Sequence, residues 1–146
     1  MIWAVGATIV AGVAVVMARR RYVVVTVGGP SMRPTYDHGD QVLVRRVAAA
    51  TLRRGQVVVV RGPYSDDVTH KLKRIVAGPG DPVPEAAAAA CGRPAGAPVP
   101  AGRLVVYGDA PNSYDSRAWG FLSAGDVLGV AVRRLAPSPA RPVAGR

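Results

Sequence analysis

Valine-rich clusters at 23–25, 57–60 and 104–106 constrain this chain more than any other feature. Side chains branched at Cβ are stiff and suit a pleated, half-buried surface better than a helix. Phe121 is the only phenylalanine, so valine and alanine must fill much of the core. At 146 residues the chain is long enough for one domain with a core. Strands are expected at 22–27, 41–46, 57–61, 68–77, 104–107 and 127–135, with the continuous run 57–61 buried on both faces. Turns fall at Asp37-His38-Gly39-Asp40 and Arg54-Gly55-Gln56. A loop is expected at 62–67, and Gly78-Pro79-Gly80-Asp81 closes the fourth strand. A long polar loop occupies 108–120. The fold class is mainly β.

Before the first strand, residues 2–18 are apolar or small, and Arg19-Arg20-Arg21 follow. As a helix these 17 residues rise about 25 Å, short of a bilayer core of roughly 30 Å unless the arginines snorkel. No basic segment precedes the run and no small-residue cleavage site stands before Arg19, so an uncleaved single-pass transmembrane anchor is favoured over a cleaved signal. The domains are then an anchor with its basic flank at 1–21, a β domain at 22–135 and a disordered tail at 136–146. Within the β domain, 82–102 is rich in Ala, Pro and Gly and reads as a flexible insert or a degenerate hairpin.

The net charge is +10, yet of 19 basic residues only Lys71 and Lys73 are lysines, both in His70-Lys71-Leu72-Lys73-Arg74. Lysine can lose its proton when buried, whereas arginine effectively cannot. The charge is compatible with a surface near anionic lipid. No nucleic-acid motif or aromatic platform accompanies it, so no nucleic-acid partner is expected. Cys91 is the one cysteine, which excludes an intrachain disulfide and a cysteine metal cluster. No metal or cofactor is implied.

Gly28-Gly29-Pro30-Ser31-Met32-Arg33-Pro34-Thr35 follows the first expected strand. Glycine allows unusual backbone angles, and proline fixes its own φ and restricts Gly29 before it. Such a turn can hold one serine hydroxyl in a set direction beside an uncovered backbone N–H. A nucleophilic serine needs a base, and the candidates are His38, His70, Lys71, Lys73 and the carboxylates. His38 lies in a turn seven residues on and reads as a solvated loop histidine. Strand alternation turns His70 away from both lysines. A Ser-Lys dyad therefore fits better than a Ser-His-Asp triad, with Lys71 and Lys73 on one strand face.

These residues match a known pattern. Gly29 to Thr35, with Gly39-Asp40 and Val42-Leu43-Val44, resembles the nucleophile box of type I signal peptidases. Arg54-Gly55-Gln56-Val57-Val58-Val59 looks like that family's Arg-Gly-Asp strand. Lys73-Arg74-Ile75-Val76-Ala77-Gly78-Pro79-Gly80-Asp81 is similar to its lysine box. Gly108-Asp109 with Asn112-Ser113-Tyr114-Asp115-Ser116-Arg117 resembles its last box. The four cover most of 22–134, and the chain looks like a small, actinobacterial-type member with a minimal core. The resemblance implies an antiparallel catalytic sheet, Ser31 as nucleophile and Lys73 as general base. It also implies Ser113 orienting the Lys73 amine and an Asp115–Arg117 ion pair bracing the loop. The register of the lysine box selects Lys73 over Lys71, and Arg74 on the opposite face is expected to stay solvated. Gly29 stands in the oxyanion-hole region, where many members carry a serine whose hydroxyl binds the oxyanion. The last box is one residue shorter than usual.

The expected activity is a membrane-anchored serine endopeptidase cleaving signal or leader peptides after a small residue. Its partners would be preproteins and the lipid bilayer, and oligomeric state is left open. A narrower alternative is a maturation protease dedicated to one substrate, such as nickel superoxide dismutase or a biosynthetic leader peptide. A second is a non-catalytic β-rich binding module on a membrane anchor. The family places its catalytic domain outside the cytoplasm, whereas the positive-inside rule applied to Arg19–Arg21 places it inside.

Overall fold

The valine-rich runs are strands, and the order in which they pair coils the sheet back on itself. The computed structural model describes residues 2–61 and 70–137, with backbone alone for 2–9 and 18. Helix α1 (Ile2–Arg21) runs directly into β1 (Tyr22–Thr26), followed by β2 (Gln41–Arg45), β3 (Val57–Val60) and β4 (Lys71–Ala77). Helix α2 (Glu85–Cys91), β5 (Arg103–Tyr107), the one-turn α3 (Ser116–Trp119), β6 (Leu122–Ser123) and β7 (Val127–Ala136) complete the chain order. The strands form one seven-stranded sheet in the order β1-β2-β7-β3-β4-β5-β6. Every pairing between neighbours is antiparallel.

Strand β3 shows why four consecutive valines suit this fold. Val58 and Val60 pack with Leu52, Ile75, Leu104 and Val106, whereas Val57 and Val59 pack with Val25, Val42, Val44 and Leu72. The strand separates two cores, and all four side chains are buried. Each buried aliphatic side chain is worth roughly 1.5–3 kcal/mol relative to exposure, so a valine core can form with little aromatic help.

Strands β1 and β4 are four places apart in the sheet order, yet a parallel bridge joins Val27 to His70. The His70 N–H donates to the Thr26 carbonyl at 2.8 Å, and the Gly28 N–H donates to the His70 carbonyl at 2.7 Å. Strands β1, β2, β7, β3 and β4 therefore close into a ring at this end. The closure brings the turn after β1 against the start of β4, which places Ser31 near the lysines.

Two expectations need revision. The segment 82–102 is neither a flexible insert nor a hairpin throughout: α2 forms within it and ends at Gly92, whose φ of 61° gives a left-handed cap. Val83, Ala87 and Val99 pack against Ala77 and Val105, making a third small core. The polar loop 108–120 contains α3, and β6 lies just beyond it. The N-terminal run is helical, but among the described residues no helix is long and apolar enough to cross a membrane. The loop expected at 62–67, the first residues of the strand expected from 68, and 138–146 of the expected tail lie outside the described residues.

Candidate active site

Ser31 opens a tight turn that the core holds from beneath. Met32 beside it is fully buried among Val25, Val27, Val42 and Leu72. Its carbonyl accepts from the Tyr36 N–H at 2.9 Å. Gly29 adopts φ of 81°, a conformation that side chains disfavour. Its N–H donates to Nδ1 of His38 at 3.0 Å, so His38, an exposed loop histidine as expected, also serves as an acceptor for the turn.

The last loop clamps this turn from the other side. The Ala110 N–H donates to the Ser31 carbonyl at 3.0 Å. A Cβ on Gly108 would overlap both the Ser31 carbonyl and the Ser113 hydroxyl. Glycine is required there because three segments meet with no room for a side chain.

On β4, alternation buries Leu72 in the ring core and turns Lys71, Lys73 and Ile75 to the other face. Lys73 is only 5% exposed, and its Nζ donates to Ser113 Oγ at 2.8 Å. Its pKa falls from 10.5 to about 8. Burial is the main cause; the charges of Lys71 and Arg117 push the same way, and Asp115 opposes them. Lys73, Lys71, Ser31, Gly29 and Ser113 all line one cavity of about 750 Å³. His70 does not line it.

Asp115 is fully buried and anchors the last loop. It accepts from the Gly108 N–H at 2.9 Å and from Nε and Nη2 of Arg117 at 2.9 and 2.7 Å. It also caps α3 through the Arg117 N–H at 3.1 Å. Burial alone would raise the Asp115 pKa, but these hydrogen bonds, with help from the Ser113 hydroxyl, outweigh it and hold the carboxyl low. The Arg117 guanidinium lies 4.7 Å from the centre of the Tyr107 ring. The carboxylate of this bracket is fully buried, while the Arg117 side chain stays 32% exposed.

Arg74 stays partly solvated, its side chain 34% exposed, but it is also firmly paired. Its Nε and Nη2 reach the two carboxylate oxygens of Asp109 at 2.8 and 2.7 Å, and its Nη1 donates to the Gly55 carbonyl at 3.0 Å. The hydroxyl of Thr35 donates to the same Asp109 at 2.6 Å. Arg74 chiefly, aided by Thr35 and opposed by burial, holds the Asp109 carboxyl below its usual range. This network joins the serine turn, the lysine strand and the last loop. Thr35, Arg74 and Asp109 were each visible in the matched boxes; their convergence was not.

Among the described residues no three His, Cys, Asp or Glu side chains gather as a metal-ligand set would require. Cys91 remains a free, partly buried thiol on α2.

A family model described as "Signal peptidase, peptidase S26" matches residues 1–91 and 84–136. No curated protein matches the chain.

Proposed function

The chain belongs to the signal peptidase family, and from that premise we propose that it is a membrane-anchored serine endopeptidase removing signal or leader peptides after a small residue. Membership makes it a serine peptidase hydrolase whose substrates are preproteins carrying signal peptides. The observation that carries the finer reading is Lys73. It is a buried amine with a pKa lowered to about 8, held by Ser113, in the cavity that Ser31 also lines.

In this reading Ser31 Oγ attacks the scissile carbonyl carbon and its proton passes to neutral Lys73. The tetrahedral intermediate collapses, the C–N bond breaks and the leaving amine takes the proton from Lys73. Water, deprotonated by Lys73, then attacks the acyl-enzyme and frees Ser31. Ser113 fixes the amine, and the Asp115–Arg117 bracket fixes Ser113's loop.

Membrane attachment rests on the apolar run 2–18 and on α1, where Val10, Val13, Val15, Val16 and Met17 are exposed. Family substrates favour an extracytoplasmic catalytic domain, and Arg19–Arg21 favour the opposite side. Protease accessibility in sealed vesicles of known orientation decides between them.

The testing experiment is cleavage of a leader substrate with an Ala-x-Ala site, in detergent. Ser31→Ala and Lys73→Ala each abolish cleavage, and His70→Ala does not. Cleavage that survives Ser31→Ala overturns the mechanism. Wild-type cleavage of one particular precursor but not of the generic substrate identifies a dedicated maturation protease.

A further inference from the structure

The turn that carries Ser31 offers very few hydrogen-bond donors, and each can be traced. The Gly28 N–H is taken by the His70 carbonyl at 2.7 Å. The Gly29 N–H is taken by His38 Nδ1 at 3.0 Å. Pro30 has no N–H. Among the described residues the N–H groups of Ser31, Met32 and Thr35 have no acceptor, but Met32 and Thr35 do not line the cavity, so the turn's backbone brings one free donor to it. A tetrahedral oxyanion is normally held by at least two donors, and losing one costs about 10²–10³ in kcat. A side chain on the cavity wall can supply the second.

Lys71 is placed to be that side chain. It lines the same cavity as Ser31, from the β4 face that also carries Lys73. It is half-buried, and among the described residues it has no ion-pair or hydrogen-bond partner. Its Nζ lies 3.4 Å from the point a Cβ on Gly29 would occupy, two residues before Ser31. The absent side chain at Gly29 therefore leaves room for the ammonium to rest against the nucleophile turn. Its neighbour Lys73 has its amine committed to Ser113, so the two lysines have different partners and are free for different tasks.

We propose that Lys71 is a catalytic residue whose ammonium, together with the Ser31 N–H, donates to the oxyanion of the tetrahedral intermediate. The inference rests on Ser31 being the nucleophile. When the Oγ–C bond forms, the carbonyl π pair moves to oxygen and the hydroxyl proton goes to Lys73. Lys71 contributes hydrogen bonds and charge and transfers no proton. On collapse the pair returns to re-form the carbonyl as the C–N bond breaks.

The test compares wild type, Lys71→Met, Lys71→Arg and Ser31→Ala in the full chain in detergent. Two readouts are used: steady-state cleavage of an Ala-x-Ala leader, and affinity for a peptide boronate, whose adduct with a serine is tetrahedral and needs no turnover. Lys71→Met is expected to lower kcat about a hundredfold with little change in KM, and to weaken the boronate by a similar factor. Lys71→Arg restores part of both, and an unchanged circular dichroism spectrum shows that the fold is kept. A raised KM with unchanged kcat overturns the proposal and makes Lys71 a reader of a substrate side chain. An unaltered Lys71→Met enzyme overturns it too, as does finding the hundredfold loss in Asn112→Ala, on the facing loop, instead. In all these cases Ser31→Ala remains inactive and the peptidase reading stands. A wild type that cleaves no precursor and does not bind the boronate, or activity that survives Ser31→Ala, overturns the peptidase reading and the proposal together.

Discussion

Arg74 on β4 holds both carboxylate oxygens of Asp109, at 2.8 and 2.7 Å, across 35 residues of sequence. Thr35, four residues past Ser31, donates to the same carboxylate at 2.6 Å. The three segments that carry Ser31, Lys73 and Ser113 are thus fastened together by groups that do not line the cavity.

Asp109→Ala is expected to destabilise the protein by about 1.5–3 kcal/mol at neutral pH, the range for hydrogen bonds to charged groups. The sign with pH follows from the direction of the Asp109 shift. Its folded-state pKa is depressed, so the stabilisation is present above the unfolded value near 3.8 and is lost as pH falls through the lower folded value. Urea denaturation of wild type and variant should show a gap at pH 7 that closes in strong acid. A gap that persists in acid would place the stabilisation elsewhere.

The pH–rate profile should have one limb set by Lys73. Its pKa is lowered to about 8, and in the proposed mechanism it is the neutral amine that takes the Ser31 proton. Hence kcat/KM should rise tenfold per pH unit below about 8 and level off above it. Because the Lys71 charge helps to lower the Lys73 value, Lys71→Met should move that limb to higher pH. Initial rates between pH 6 and 10 give both numbers, and a plateau reached already at pH 6 would exclude Lys73 as the titrating base.

Much of this was legible in the sequence because the relevant signals are local. Valine runs identify strands whatever they pack against, and period two on β4 separates Lys71 and Lys73 from Leu72. Long-range contacts were not legible. Arg74 was expected in solvent because alternation specifies only its face; a third of its side chain does stay exposed, and its pairing with Asp109 depends on where the last loop lands. The same holds for His38, whose acceptor role depends on Gly29 turning its N–H inward. Helix α2 did carry local signs, with Pro84 and Glu85 at its start and Gly92 at its end. Its alanines gave no amphipathic pattern, however, and the one that is buried, Ala87, is covered by Ala77, Val83, Val99 and Val105 from outside the helix. The Val27–His70 closure depends on sheet order, which no single segment encodes.

Gly108→Ala should disable the site through the backbone. Its Cβ would enter the space of the Ser31 carbonyl and the Ser113 hydroxyl, so the turn or the loop must move. Overpacking of this kind typically costs about 1–3 kcal/mol, and displaced reacting groups lose far more rate than stability. Gly125→Ala, whose new Cβ meets nothing closer than 3.6 Å, is the control and should stay within about 0.5 kcal/mol of wild type. Thermal melts together with cleavage rates separate the two effects, and a fully active Gly108→Ala would show that the clamp is not needed.

Lys73→Met should be inactive yet more stable than wild type at neutral pH. Lowering a lysine pKa from 10.5 to about 8 means that the fold disfavours the charged amine. At 1.36 kcal/mol per unit this penalty is about 3 kcal/mol. Below pH 8 both folded and unfolded chains hold the proton, so the penalty is present in full. Between about 8 and 10.5 the unfolded chain binds more protons than the folded one, and wild-type stability climbs with pH. Methionine fills a similar volume without the charge, at the loss of one hydrogen bond to Ser113 worth about 1 kcal/mol. Denaturation at pH 7 should therefore favour the variant by about 2 kcal/mol, with the advantage vanishing towards pH 10.5. A less stable variant at pH 7 would mean that the buried amine is held by more than Ser113, and that the fold does not resist its charge.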